Sequence, residues 1–313
     1  MIMAAKIPRT LYHYCSIPTF FSIVQNKSIW LSDISKSNDS LELRWIKEQC
    51  RYYILKVWVD YVKSVKESDN DLSLVNFDEF ENVQKLSEFI AKYDLTKSWV
   101  FCLSEKKDNL GQWRGYADDG TGVCIGFKTD FYSMIDAVAH YIDKDADLHF
   151  RKVRYTKKEI EDFFYNAAEL SKIDASMSCQ EVIQLLNSAI SFTMSNAEFF
   201  KNDAFKEEKE WRLVYTMETS DLLKGKVPGM EKFSEKITDM SIGNFGFSTR
   251  RGTIISHIEI SLPKLDSVFS SITIGPKSSL SINDVKLFLL HSGVIKNTKN
   301  LSIKIEKSKV SYR

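Results

Sequence analysis

Near the two-thirds point of the chain, Glu208, Glu210 and Arg212 are spaced two apart within the run EEKEWRLVY, Glu207 to Tyr215. If Glu207 to Val214 is a strand, period-two alternation puts these three on one face and Lys209, Trp211 and Leu213 on the other, with side-chain origins roughly 7 Å apart along the strand. The tryptophan face is expected to be buried, which leaves two carboxylates and a guanidinium lining a cleft or facing solvent. Arg212 favours the ionised form of a neighbouring glutamate, whereas desolvation in a cleft pushes the other way. An exposed strand face with compensating charges has the same pattern and contributes little energetically.

A second set lies between Ser98 and Phe127. Two apolar runs of strand length, Trp99 to Leu103 and Val123 to Phe127, enclose Ser104, Glu105, Gln112, Trp113, Arg114 and Tyr116. These donors, acceptors and ring faces suit convergence on a ligand, although Trp113 and Tyr116, three apart, equally fit the buried side of a helical turn. Asp118, Asp119, Gly120 and Gly122 supply the turn into the second run. A third candidate is His13, in an apolar strand on the opposite side from Tyr12 and Tyr14, a position that suits a structural group as well as a ligand contact.

Several chemistries lack their residues. No histidine or cysteine partner stands near His13 at zinc spacing, so no metal is expected. Asp143 onward alternates aspartates, but Leu148 stands where a calcium loop needs glycine and Arg154 where it needs glutamate. No nucleophile elbow, phosphate-binding loop or dinucleotide fingerprint is present. A metal-dependent nuclease can be read from Glu207-x-Lys209 with the distant Asp39, but both residues would share the face of Trp211 and Leu213. A non-catalytic module is the other alternative, using an amphipathic helix over 41–62 for a protein partner.

The chain has 313 residues, a formal charge of +1 and five scattered cysteines without a CxxC pair. Bulk charge favours neither nucleic acid nor membrane, and the cysteine usage suits a reducing, cytoplasmic compartment. No run reaches the roughly 20 apolar residues of a membrane span, and MIMAAKIPRT is too short in its apolar part for a signal peptide.

The elements that must position these residues read as short strands interleaved with unequal helices. Strands are expected near 11–14, 28–31, 99–103, 122–127, 208–216, 253–262 and 267–274, and a last one at 301–305. Ser16 caps a helix to about Asn26 with Pro18 in its first turn, and Ile46, Cys50, Tyr53, Ile54, Val57 and Tyr61 form one apolar helical face. Helical elaborations over 41–93 and 157–200 complete a single domain over 1–313, and Thr219 to Gly252 reads as a loop. The fold class is α+β with a mixed sheet.

In combination, LYHYC at Leu11 to Cys15, NDSLE at Asn38 to Glu42, the Trp113-x-x-Tyr116 pair leading to GVCIGF, and EEKEWRLVY resemble a large bacterial family, domain of unknown function 2971, from Leu11 to the KSKVSYR tail. The arrangement also resembles the split sheet of ADP-ribosyltransferases. That resemblance implies NAD as substrate, with His13 as the ribose holder and Ser104 with Trp113 or Tyr116 as the nicotinamide wall. Glu210 would be the catalytic carboxylate with Glu208 its partner, and Tyr12, Asn38 and Arg212 would complete the nucleotide site. The usual serine-threonine-serine run is missing after Ser104. The kind of family implies a bacterial defence or toxin role, with nucleic acid or protein as acceptor.

Overall fold

The computed structural model describes residues 6–36, 42–68, 81, 83–86, 88, 90, 96–130, 148–225, 242–250, 252–262, 264–299 and 301–312. In chain order the first elements are β1 (Thr10–Cys15), α1 (Ile17–Asn26), β2 (Ser28–Asp33), α2 (Glu42–Glu67), β3 (Thr96–Ser104) and α3 (Leu110–Tyr116). Next come β4 (Val123–Lys128), β5 (Leu148–Lys152), α4 (Lys157–Ala167), α5 (Cys179–Met194), β6 (Glu210–Glu218) and α6 (Thr219–Leu223). The chain ends with β7 (Ile242–Arg250), β8 (Thr253–Ser261), α7 (Leu265–Val268), β9 (Phe269–Ile274), α8 (Ile282–His291) and β10 (Lys304–Lys307). The class is α+β with a large mixed sheet: β9 and β10 run parallel, and the other strand pairs are antiparallel. Chain contacts divide the molecule into two compact units, one of 1–5, 38–95 and 153–206, the other of 6–37, 96–152 and 207–313.

Among the described residues all ten strands belong to the second unit, and β3 organises them. β6 pairs with β3 over its whole length, from Thr96↔Glu218 to Ser104↔Glu210. A strand has two edges, so β1 and β2 must share the remaining one. β1 meets it at its end, Tyr12↔Ser104, and β2 nearer its start, at Ser32↔Val100 and Asp33↔Trp99. The sheet therefore branches at β3, into β1-β4-β9-β10 on one side and β2-β8-β7 on the other. Leu11, Ile29, Leu31, Trp99, Phe101, Leu103, Trp211 and Leu213 share one buried apolar core, which is what alternation along four adjacent strands produces.

Local signals place several elements where the sequence puts them. Ser16 accepts the Thr19 N–H at 3.2 Å and starts α1, which ends with Lys27 in the left-handed region at φ 50°. At the turn into β4, Asp118, Asp119 and Gly120 all take positive φ, 46°, 53° and 88°. Gly122 follows, where an added Cβ would lie 2.2 Å from the Cys15 carbonyl oxygen, a backbone atom that cannot swing aside. Gly122→Ala is therefore expected to lower stability by about 1–3 kcal/mol or more, read by chemical denaturation; an unchanged midpoint would contradict this packing.

The boundaries differ from expectation in several places, among them the start of β3 at Thr96 instead of 99. β6 begins at Glu210 instead of 208, because Lys209 takes φ 44° and 203–208 form a tight helical turn. The segment read as a loop over Thr219 to Gly252 contains α6 and the whole of β7. β9 begins at Phe269, its expected start being taken by the one-turn α7, and β10 begins at Lys304, three residues late. The acidic run after Asp143, most of the helix expected over 77–93, and residues 226–241 lie outside the described residues.

In the first unit, α2, α4 and α5 bury one apolar cluster. Ile46, Cys50, Tyr53, Ile54, Val57 and Tyr61 of α2 are all buried, together with Phe163, Phe164, Val182, Leu186 and Ile190. Capping boxes at Thr156 with Glu159 and Ser178 with Glu181 start α4 and α5. Tyr53 and Tyr61 donate to the carbonyls of Lys157 and Met177 at 3.0 and 2.7 Å, tying α2 to both starts. Among the described residues no helix is long and apolar enough to cross a membrane.

Candidate functional site

Where β1 meets β3, strand register aligns Tyr12, Ser104 and Glu210 in one row across three neighbouring strands. Directly opposed residues point to the same face, so these three side chains start on one side of the sheet. A half-open cleft with about 50 Å³ of enclosed space lies at this row. Its lining comes from β1 (Tyr12, His13, Tyr14), the end of β3 (Cys102, Leu103, Ser104), α3 (Gln112, Tyr116) and the entry to β6 (Glu208, Glu210).

The two glutamates have different surroundings. Glu210 is buried and held as a fork by the equally buried Arg212, with Nε to Oε1 at 2.9 Å and a terminal nitrogen to Oε2 at 2.8 Å. Such a charge-assisted bidentate pair fixes both side chains. Glu208 is only half-buried, and its Oε1 accepts the Tyr116 hydroxyl at 2.7 Å. Burial, and next the Glu208 charge, push the Tyr116 phenol well above its ordinary range, so it stays protonated and donating. Ser104 ties the strand end to the same turn: its hydroxyl donates to the Glu208 carbonyl at 2.6 Å and accepts the Lys106 N–H at 3.0 Å. The left-handed Lys209 lets Glu208 and Glu210 both reach the cleft although only Glu210 belongs to the strand.

His13 alternates to the other face, where its ring stacks on Phe101 with centroids 4.3 Å apart. Its Nδ1 lies 2.9 Å from the Cys102 carbonyl oxygen. A carbonyl only accepts, so Nδ1 carries the hydrogen and Nε2 is left as the acceptor. Although part of the residue remains accessible, packing around the ring pushes its pKa down to about 4, against the smaller upward pull of the Cys102 hydrogen bond. A histidine with a lowered folded pKa contributes stability above its unfolded value and loses it on protonation. Stability should therefore fall as pH drops from about 6.5 towards 4, and His13→Gln should flatten that slope in denaturant titrations at several pH values; an unchanged slope would remove His13 as the cause.

Not every expected residue lines the cleft. Trp113 is wholly buried behind it, with its indole N–H donated to Asp108 at 2.8 Å and its ring edge-on to Tyr14. Arg212 reaches the cleft through Glu210, Asn38 lies outside the described residues, and Glu105 instead holds Lys152 and the Trp211 indole at 2.7 and 2.9 Å. Glu207 and Lys209 are exposed, not buried with Trp211 as the sequence pattern implies. Cys102 and Tyr14 are lining residues that were not singled out from sequence, whereas Gln112 was named there among the candidate ligand contacts. Gln112 is four residues before Tyr116 and so shares its helical face, whereas Trp113 points into the core. Among the described residues no three metal-ligating side chains gather.

The model of the family described as Protein of unknown function (DUF2971) matches residues 112–213. This segment belongs to that family. The matched segment opens on Gln112, Trp113 and Tyr116 and closes on Glu208, Glu210 and Arg212, so it carries the α3 and β6 lining of the cleft, while the β1 and β3 lining, LYHYC and NDSLE lie before it. No curated protein and no solved structure matches the chain.

Proposed function

We propose that the sheet unit binds NAD in this cleft and transfers its ADP-ribose group, in the manner of an ADP-ribosyltransferase. The observation that carries the reading is the convergence of Tyr12, Ser104, Tyr116 and two glutamates from separate elements on one cleft. The enclosed space is about 50 Å³, below the about 300–1,000 Å³ usual for small-molecule sites, so in this reading most of the dinucleotide lies across the open mouth of the cleft. In the reaction the glycosidic C–N bond breaks and its electron pair leaves with nicotinamide. The anomeric carbon gains positive charge, and an acceptor oxygen or nitrogen forms the new bond and gives up its proton. A fixed carboxylate beside that carbon stabilises the charge without reorganising. In this reading Glu208, the more accessible carboxylate, faces the developing cation, the Glu210–Arg212 fork sets the floor, and the tyrosine rings wall the nicotinamide, whereas the His13 ring, on the other face of the sheet, is a structural neighbour and not the ribose holder.

Incubation with NAD labelled in its adenylate, offered separately with protein, RNA and DNA, tests the proposal. Label is expected on one pool together with released nicotinamide; no release and no transfer by folded protein would contradict it. A specific observation supports a second reading, that the helical unit docks a protein. Tyr52, Leu55 and Val59, at helical spacing on α2, are exposed. Leu55→Glu would then abolish complex formation without altering NAD chemistry.

A further inference from the structure

Gln112 is only 7% exposed, lines the cleft, and its side-chain amide makes no hydrogen bond within the protein among the described residues. The residue as a whole is buried, but its amide atoms are not among the buried polar atoms left without a partner, so the amide opens onto the cleft, where it can meet water or a ligand. The side chain is not loosely held. Its backbone N–H is bound by the Asn109 cap at 3.1 Å, and the next residue, Trp113, is pinned to Asp108. Across the cleft, the hydroxyl of the half-buried Tyr12 also has no hydrogen bond among the described residues. A carboxamide has two donor hydrogens and an acceptor oxygen, so its natural complement is a planar group that presents both a donor and an acceptor.

We infer that Gln112 is the specificity-determining residue of the cleft and reads the carboxamide of the nicotinamide ring. The inference rests on the NAD reading above. It accounts for an open amide at a cleft where Ser104, Tyr14 and Tyr116 already have protein partners. It also predicts discrimination. The acid analogue, nicotinic acid adenine dinucleotide, presents a carboxylate that offers Gln112 no donor and enters a cleft already lined by Glu208 and Glu210.

Equilibrium titration of the intact protein with NAD and with the acid dinucleotide tests this without relying on turnover. The unsubstituted protein is expected to prefer NAD by at least about tenfold. Gln112→Met, similar in length and apolar, should still bind NAD but with the preference reduced towards parity. Gln112→Leu serves as a second variant if the first does not fold. NAD binding with the same preference in these variants would overturn the role of Gln112 and leave the NAD reading standing. Failure of the unsubstituted protein to bind either dinucleotide would overturn both.

Discussion

Glu210→Ala should destabilise the sheet unit by up to about 3–5 kcal/mol, the usual range for breaking a buried ion pair by removing one partner. Arg212, the other partner, is 2% exposed beneath the cleft and gripped by Glu210 through two nitrogens. The physical cause can be separated from loss of a ligand contact by replacing both members. Glu210→Met with Arg212→Met removes both charges, and apolar replacement of both partners is often close to neutral. Urea denaturation should therefore rank the double variant well above Glu210→Ala. Equal loss in the two would mean that the fork is not what holds this part of the sheet.

Glu208→Gln is expected to have the opposite profile, a large loss of turnover with little change in stability. Its carboxylate is half-buried at the cleft, and the amide oxygen of glutamine can still accept the Tyr116 hydroxyl that binds Glu208 at 2.7 Å. Charge at a reacting centre, in contrast, is lost entirely. Removing one preorganised electrostatic group costs about 100- to 1,000-fold in rate, so nicotinamide release should fall by that order. Full activity in Glu208→Gln, with no other change, would take this residue out of the chemistry. Glu210→Gln alone is a poorer probe of the reaction because its effect on the Arg212 fork mixes stability with rate.

The parts of the fold written in local chemistry were legible in the sequence. Ser16 with Pro18 marks the start of α1, the three- and four-residue spacing from Ile46 to Tyr61 marks the buried face of α2, and the Asp-Asp-Gly turn marks the entry to β4. β7 was not legible, because Ile-Gly-Asn-Phe-Gly-Phe lacks the β-branched run that identifies a strand; its position comes from pairing with β8 across the turn at Gly252, φ 74°. The site was legible in its residue types and only partly in their roles. Alternation correctly puts Glu210 and Arg212 on one face, yet it cannot show that they grip each other out of solvent. Nor can it show that a left-handed Lys209 ends the strand while keeping Glu208 at the cleft. Trp113 was the more conspicuous residue in the sequence, but helical geometry turns it into the core and gives the cleft to Gln112 and Tyr116.

The central claim is that this cleft holds NAD, and the most direct measurement is an equilibrium titration with the carbocyclic analogue of NAD, whose nicotinamide bond cannot be cleaved. The account predicts saturable one-site binding, displaced by NAD and weakened in a Tyr116→Ala variant that keeps its far-ultraviolet circular dichroism. Absence of saturable binding by the folded, unsubstituted protein, or binding unaffected by that substitution, would contradict it.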